Sequence, residues 1–187
     1  MLKDLIRKSR SYRRFHEDKP VSMEVLHELV DLARLSPSAR NAQPLKYFLS
    51  NSPEINDKIF PHLAWAGYLK DWPGPQKGER PAAYIILLND TDISANYFCD
   101  DGIASQSILL GAVEKGLGGC IVGSLNRLQL HRELRLSDNL KIVHVIALGE
   151  PKEVVQLEAM KDDDVKYWRD VDQIHHVPKR DLKDVIV

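Results

Sequence analysis

Cysteine is nearly missing from this chain of 187 residues. Cys99 and Cys120 are its only two and form no Cys-x-x-Cys pair, which argues against a disulfide framework or a cysteine-built metal site and favours a reducing compartment. Both are expected as small core residues. Neither sign of charge dominates: 26 Lys and Arg stand against 27 Asp and Glu, for a formal net charge of -1. A general nucleic-acid binder carries a basic excess over a whole face, so that class is set aside. No segment approaches the ~20 apolar residues of a membrane span, and Met1 to Arg7 holds no apolar run long enough for a signal peptide. The expectation is a cytoplasmic protein with no membrane or nucleic-acid partner.

Several motifs are missing too. No Gly-x-Ser-x-Gly, His-Glu-x-x-His or Gly-x-x-x-x-Gly-Lys-Ser/Thr occurs, so hydrolase and nucleotide-triphosphatase readings lose their usual support. In Gly116-Leu117-Gly118-Gly119-Cys120-Ile121-Val122-Gly123 the third glycine of a dinucleotide fingerprint would fall on Ile121, and the motif precedes a strand instead of following one. These glycines read instead as letting the backbone approach something flat. His175 and His176 are adjacent, so their side chains diverge, and no metal site is expected there.

What is present begins at Ser9-Arg10-Ser11-Tyr12-Arg13-Arg14-Phe15, where three guanidinium groups gather within a few residues. Such a run is either a solvated basic turn or a seat for an anion, and a phosphate gains charge-assisted hydrogen bonds of roughly 1.5–3 kcal/mol each from guanidinium groups. A second stretch, Ser36-Pro37-Ser38-Ala39-Arg40-Asn41-Ala42-Gln43-Pro44-Leu45, supplies neutral donors and acceptors. Its bland reading is a self-satisfied loop; its functional one is that amides and hydroxyls read the edge of a heterocycle. Together the two stretches are expected to complete one pocket for a phosphorylated cofactor.

Around them the periodicities predict a short helix from Leu2, a helix from Ser22 to about Leu35, a strand over 46–50 and a helix starting at Ser52-Pro53. Residues 61–81, with Trp65, Gly67, Trp72, Pro73, Gly74, Pro75 and Gly78, suit a mobile loop over a site. The run Ala82 to Leu88 predicts a strand buried on both faces. A helix from Asn96 to about Lys115, apolar on more than one side, follows. Then come a strand over 118–123, a helix over 125–134 and a strand over 141–148. Beyond Pro151 the chain is too charged for a core of its own and should lie along a surface, its own or a partner's.

As a set, these stretches resemble the nitroreductase family of FMN-dependent flavoproteins. The family's Arg-Arg-Ser-x-Arg-x-Phe corresponds to Ser9 through Phe15, with Pro20-Val21 downstream. Its Ser-Pro-Ser-x-x-Asn-x-Gln-Pro-Trp corresponds to Ser36 through Leu45, and its Gly-Leu-Gly-x-Cys-x-x-Gly to Gly116 through Gly123. Leu148-Gly149-Glu150-Pro151 and Lys179-Arg180-Asp181-Leu182 are similar to the family's last strand and tail. Ser9 stands where many members carry Arg, and Leu45 where they carry Trp. The resemblance implies a three-layer α/β/α fold of the α+β class with a mostly antiparallel sheet, forming a single domain over 1–187. It also implies a homodimer in which a C-terminal arm, about 152–187, wraps the partner. FMN would contact Arg10, Ser11, Arg13, Lys179 and Arg180; Cys120, Val122 and Gly123 would lie near the ring. Pro37, Ser38, Ala39, Asn41 and Gln43 would reach it from the partner. The flavin would carry the chemistry, with Arg13 in support. The implied activity is ping-pong transfer from NADH or NADPH to nitroaromatic, quinone or related small-molecule acceptors; a specialised flavin-using enzyme or a non-catalytic FMN-storage protein are the alternatives.

Overall fold

An unbroken apolar strand needs neighbours on both edges and cover on both faces. In the computed structural model, which describes residues 1–187, Ala83–Asp90 (β2) has both. It lies inside a four-stranded sheet of order β1-β2-β4-β3, where β1 is Leu45–Ser50, β3 is Gly118–Val122 and β4 is Leu140–Gly149. Every pairing in this sheet is antiparallel. Ile85 and Leu87 pack on one side with Leu26, Leu29 and Ala33 of α2 (Met23–Arg34) and Ala104, Ile108 and Ala112 of α4 (Asp100–Glu114). Tyr84, Ile86 and Leu88 pack on the other with Ile59 of α3 (Pro53–Ile59) and Leu130 of α5 (Arg127–Glu133). The result is the expected three-layer α+β architecture.

Local chemistry sets the element ends. Ser22 caps α2 by accepting the Val25 N–H at 3.3 Å, whereas Ser52 stands at the α3 cap position without a side-chain bond. The fourth helix starts at Asp100, not Asn96. The Asn96 side chain accepts the Phe98 N–H at 2.7 Å and Phe98 takes a φ of 50°, so the chain there is a turn. Cys99, just ahead of the helix, is consequently exposed and not a core residue; Cys120 is buried. In β4 the pairing jumps from Leu87–His144 to Leu88–Ile142, leaving Val143 as an extra residue. His144 then meets α4, where its Nε2 lies 2.8 Å from Ser105 Oγ and its Nδ1 3.9 Å from Asp101. Ser105 is fully buried and His144 nearly so, with Asp101 partly exposed beside them, so the triad-like set is a packed polar contact.

Residues 61–81 form no strand, but their aromatic side chains are anchored. Gly74, at φ 117°, lets Trp65 lie where a Cβ would come within 2.6 Å of its ring. Tyr68 meets Tyr167 with ring centroids 5.0 Å apart, and the Arg169 guanidinium sits 4.1 Å over Trp72. The tail also has more order than its charge suggests. It folds back as a second sheet of order β5-β7-β6, with Val155–Ala159 (β5) parallel to His175–Lys179 (β7) and Trp168–Arg169 (β6) antiparallel to it.

Charge pairs and not apolar area hold that sheet. His176 contacts Glu158 at 2.7 Å and Asp170 at 3.1 Å, and Trp168 stacks on its ring 4.9 Å away. The two carboxylates, Asp170 foremost, raise the His176 pKa above its ordinary value. A raised folded value means that the stabilisation is complete below about pH 6.5 and is lost as pH rises through the folded pKa. His176→Gln is therefore expected to lower the thermal midpoint at about pH 6 and to have little effect at about pH 9. The same deficit at both pH values would remove the ion pair from the explanation.

Candidate functional site

Past the end of α1 (Leu2–Lys8) the chain runs along the free edge of β3, with Tyr12 N–H donating to the Gly119 carbonyl at 3.0 Å. Gly118 makes that approach possible, since a Cβ there would come 2.5 Å from the Tyr12 ring. The flat group beside this glycine is the chain's own tyrosine. The same placement sets Arg10 and Arg13 beside the sheet edge. Arg10 donates to the Ile6 carbonyl at 2.8 Å, and Arg13 donates to the Ser11 carbonyl at 3.2 Å.

One carboxylate holds this segment. Glu153, whose side chain is fully buried, accepts the backbone N–H of Arg13 and, at 3.2 Å, that of Arg14. Its other oxygen lies 2.9 Å from Arg169 Nη2 and 3.6 Å from Arg14 Nε. The N-terminal segment and the tail sheet are thereby tied together through one buried charge cluster.

Arg10, Arg13 and Lys179 line a cavity of about 320 Å³ with Leu109 of α4 and Ile121 of β3. Arg13 and Ile121 also line an adjoining cleft of about 160 Å³ with Trp65, Cys120, Val122 and Gly123. Burial first, and the Arg13 charge next, push His175 down to about 4, so its ring is neutral near pH 7. Its Nε2 faces Arg13 Nη1 at 3.2 Å, which leaves the ring proton on Nδ1. That Nδ1 has no partner, and neither have Arg10 Nε and Trp65 Nε1. All three are donors, and buried donors left unpaired are costly. An anionic group in the cavity would supply acceptors beside Arg10 and His175, and a flat ring bearing carbonyls and ring nitrogens would lie along the adjoining cleft. The residues therefore fit a phosphorylated heterocycle.

The second polar stretch lies elsewhere. Pro37, Ser38, Gln43, Leu45 and Tyr47 line a separate cavity with Asp100. The single shared pocket expected from the sequence is therefore not formed within one chain, and the reason is α4. Its Asp100 and Ala104 face the second cavity while Gln106 and Leu109 face the first. At about 100° per residue these pairs stand on opposite sides of the helix.

The sequence model of the nitroreductase family matches residues 6–150. The chain belongs to the nitroreductase family. An oxygen-insensitive NADPH nitroreductase from Helicobacter acinonychis (strain Sheeba) is 24% identical over 182 residues, covering 79% of this chain and 86% of that protein. An iodotyrosine deiodinase from Thermotoga neapolitana is also 24% identical, over 168 residues, with 81% and 89% covered. Among solved structures, a protein from Exiguobacterium sibiricum 255-15 in complex with FMN has a TM-score of 0.70 at 16% identity, covering 90% of this chain and 97% of that one; this likeness is one of fold. Two relatives of equal identity thus bear the names of different reactions, and family membership alone does not set the acceptor.

Within this family frame the sequence-derived site residues divide into groups. Arg10, Ser11, Arg13 and Lys179 gather in the cationic cavity, and Cys120, Val122 and Gly123 in the cleft beside it. Burial raises the Cys120 thiol pKa, the Arg13 charge opposing it. Arg180 pairs with Asp163 at 2.7 Å instead. Ser38 donates to Asp100 at 2.6 Å and accepts the Gln43 N–H at 2.9 Å, so its hydroxyl is spent inside the turn, and the Ala39 N–H donates to Asp100 as well. Asn41 is exposed and accepts from the Gln43 amide at 3.1 Å. Sequence reasoning missed Glu153, Asp100, His175 and Tyr167, whose ring lies 4.9 Å from the Arg13 guanidinium. No motif marks them: each acts through contacts with residues far away along the chain.

Proposed function

We propose that this chain is an FMN-dependent oxidoreductase that takes electrons from NADH or NADPH and passes them, by a ping-pong mechanism, to nitroaromatic, quinone or related small-molecule acceptors. The observation that carries the reading is the cavity lined by Arg10, Arg13 and Lys179, with unpaired donors on Arg10 and His175, running beside residues Cys120 to Gly123. Arg10, Ser11 and Lys179 would hold the phosphate, and Arg13 the polar edge of the ring. When bound, FMN supplies the group that accepts and returns the hydride, a chemistry the protein serves by binding and electrostatics. Arg13, fixed through Glu153, would present its charge where negative charge develops. His175, neutral at working pH, would offer a hydrogen bond without adding another cation.

The working unit in this proposal is a homodimer. A twofold partner would bring one chain's Pro37 to Gln43 turn against the other's cationic cavity, which a single chain cannot do with α4 between them. Asn41, exposed in the single chain, would then help complete the site, and the arm over 152–187 would have a partner surface to follow.

The purified protein, passed through gel filtration, is expected to keep a flavin absorption spectrum that NADH or NADPH bleaches anaerobically and that a quinone or nitroaromatic restores. Colour that neither donor bleaches would replace the enzyme reading with an FMN-storage protein. Colourless protein that takes up no added FMN would refute the site.

A further inference from the structure

The turn that carries Ser38 to Gln43 is strained. Arg40, Asn41 and Gln43 have φ values of 56°, 54° and 50°, three non-glycine residues in the left-handed region within four positions. Each costs free energy that the surroundings must offset, so such a turn persists only where neighbouring structure over-determines it. Asp100 is the group that does so. At the first position of α4 its carboxylate is suited to cap its own helix, and that end has no side-chain cap. Instead both oxygens leave the helix: Oδ2 accepts from Ser38 Oγ at 2.6 Å and Oδ1 from the Ala39 N–H at 2.9 Å. Asp100 as a whole is 4% exposed, although acids in a first helical turn ordinarily face water.

Ser38 extends this grip. Its hydroxyl gives its proton to Asp100 and accepts the Gln43 N–H, so one carboxylate fixes the turn at residue 39 directly and at residue 43 through a relay. A second hold comes from the loop before α4, where the Arg40 guanidinium lies 5.6 Å over the Phe98 ring. In the same cavity Tyr47 is pushed up to about 12, by burial first and the Asp100 charge next, and stays a neutral phenol.

We propose that Asp100 is a positioning residue that pre-organises the strained 38–43 turn for FMN, with Ser38 as its relay and not as a ligand group. This rests on the function proposed above. Ordering the turn before binding removes a cost that would otherwise be subtracted from affinity.

The test uses the full-length chain and the Asp100→Asn, Asp100→Ala and Asp100→Asn/Arg40→Gly variants. In the FMN-free protein, amide exchange at Ala39 and Gln43 is expected to accelerate in both single variants while Ile85 in β2 is unchanged. In titrations followed by flavin fluorescence, Asp100→Asn should bind FMN about tenfold more weakly than wild type. Glycine at position 40 relieves a left-handed residue but also withdraws the guanidinium from Phe98, so the double variant should bind FMN no more tightly than Asp100→Asn. A merely structural Asp100 would accelerate exchange at Ile85 along with Ala39 and Gln43. Unchanged exchange at Ala39 and Gln43 would overturn the pin whatever the flavin result. Faster exchange with undiminished FMN affinity would overturn its role in binding. Wild-type protein that takes up no FMN would overturn the function reading on which the proposal rests, while the exchange data still judge the pin.

Discussion

Glu153→Ala is expected to lower the free energy of unfolding by about 3–5 kcal/mol, the usual loss when one partner of a buried ion pair is removed. The carboxylate is fully buried and faces Arg14 and Arg169, whose side chains are 14% and 8% exposed. Its removal strands both cations in a poorly solvated site and leaves the Arg13 and Arg14 backbone N–H groups without an acceptor. A domain of ordinary stability has about 5–15 kcal/mol in total, so the variant should unfold at markedly lower denaturant and dock its tail poorly. Glu153→Gln, which keeps the volume and one acceptor oxygen, should lose less. Urea unfolding at neutral pH checks both. A loss below about 1 kcal/mol for the alanine variant would mean that water already reaches the cluster.

Arg13→Ala should act on the cofactor more than on the fold. Under the proposed function it removes a charge-assisted hydrogen bond of about 1.5–3 kcal/mol, or roughly ten- to a hundredfold in FMN affinity. The backbone N–H of residue 13 still reaches Glu153, so the segment keeps its path. The substitution also releases His175 Nε2 and the face of Tyr167 from the guanidinium. With FMN held at saturation, reduction by NADH or NADPH should slow as well, because the charge at the ring edge is gone. Arg13→Lys, which keeps a point charge but loses the planar fork, should fall between the two. FMN binding and reduction rates equal to wild type in the alanine variant would assign the pyrimidine-edge role to another residue.

The legibility of this chain follows the range of the forces involved. The β2 run and the capped, one-faced α2 were readable because their signals are local: apolar content over a few residues and a serine at the cap. The start of α4 was misplaced by a single competing bond from Asn96, and the Val143 bulge left no trace in the apolar pattern. The tail sheet was hidden for a related reason, since β5 and β7 pair across an intervening segment and are held by His176 and Glu153, not by an apolar face. At the site, Arg10, Ser11, Arg13 and Lys179 were identifiable by their chemistry and do converge. Their supports, Glu153 and Asp100, are single carboxylates among 27 acidic residues and become recognisable only once burial singles them out. Which side of α4 each stretch occupies is a tertiary fact that no local pattern encodes.

Because α4 separates the two polar stretches, the proposed pairing makes each chain a donor of two unlike halves, one to each of two centres. Lesions then follow halves and not chains. A defect at Arg13 in one copy and at Asn41 in the other leaves a mixed dimer with one centre carrying both and one carrying neither. Two defects in the same half never leave an intact centre. In genetic terms a polypeptide paired in this proposed way would behave as two complementation groups within one reading frame.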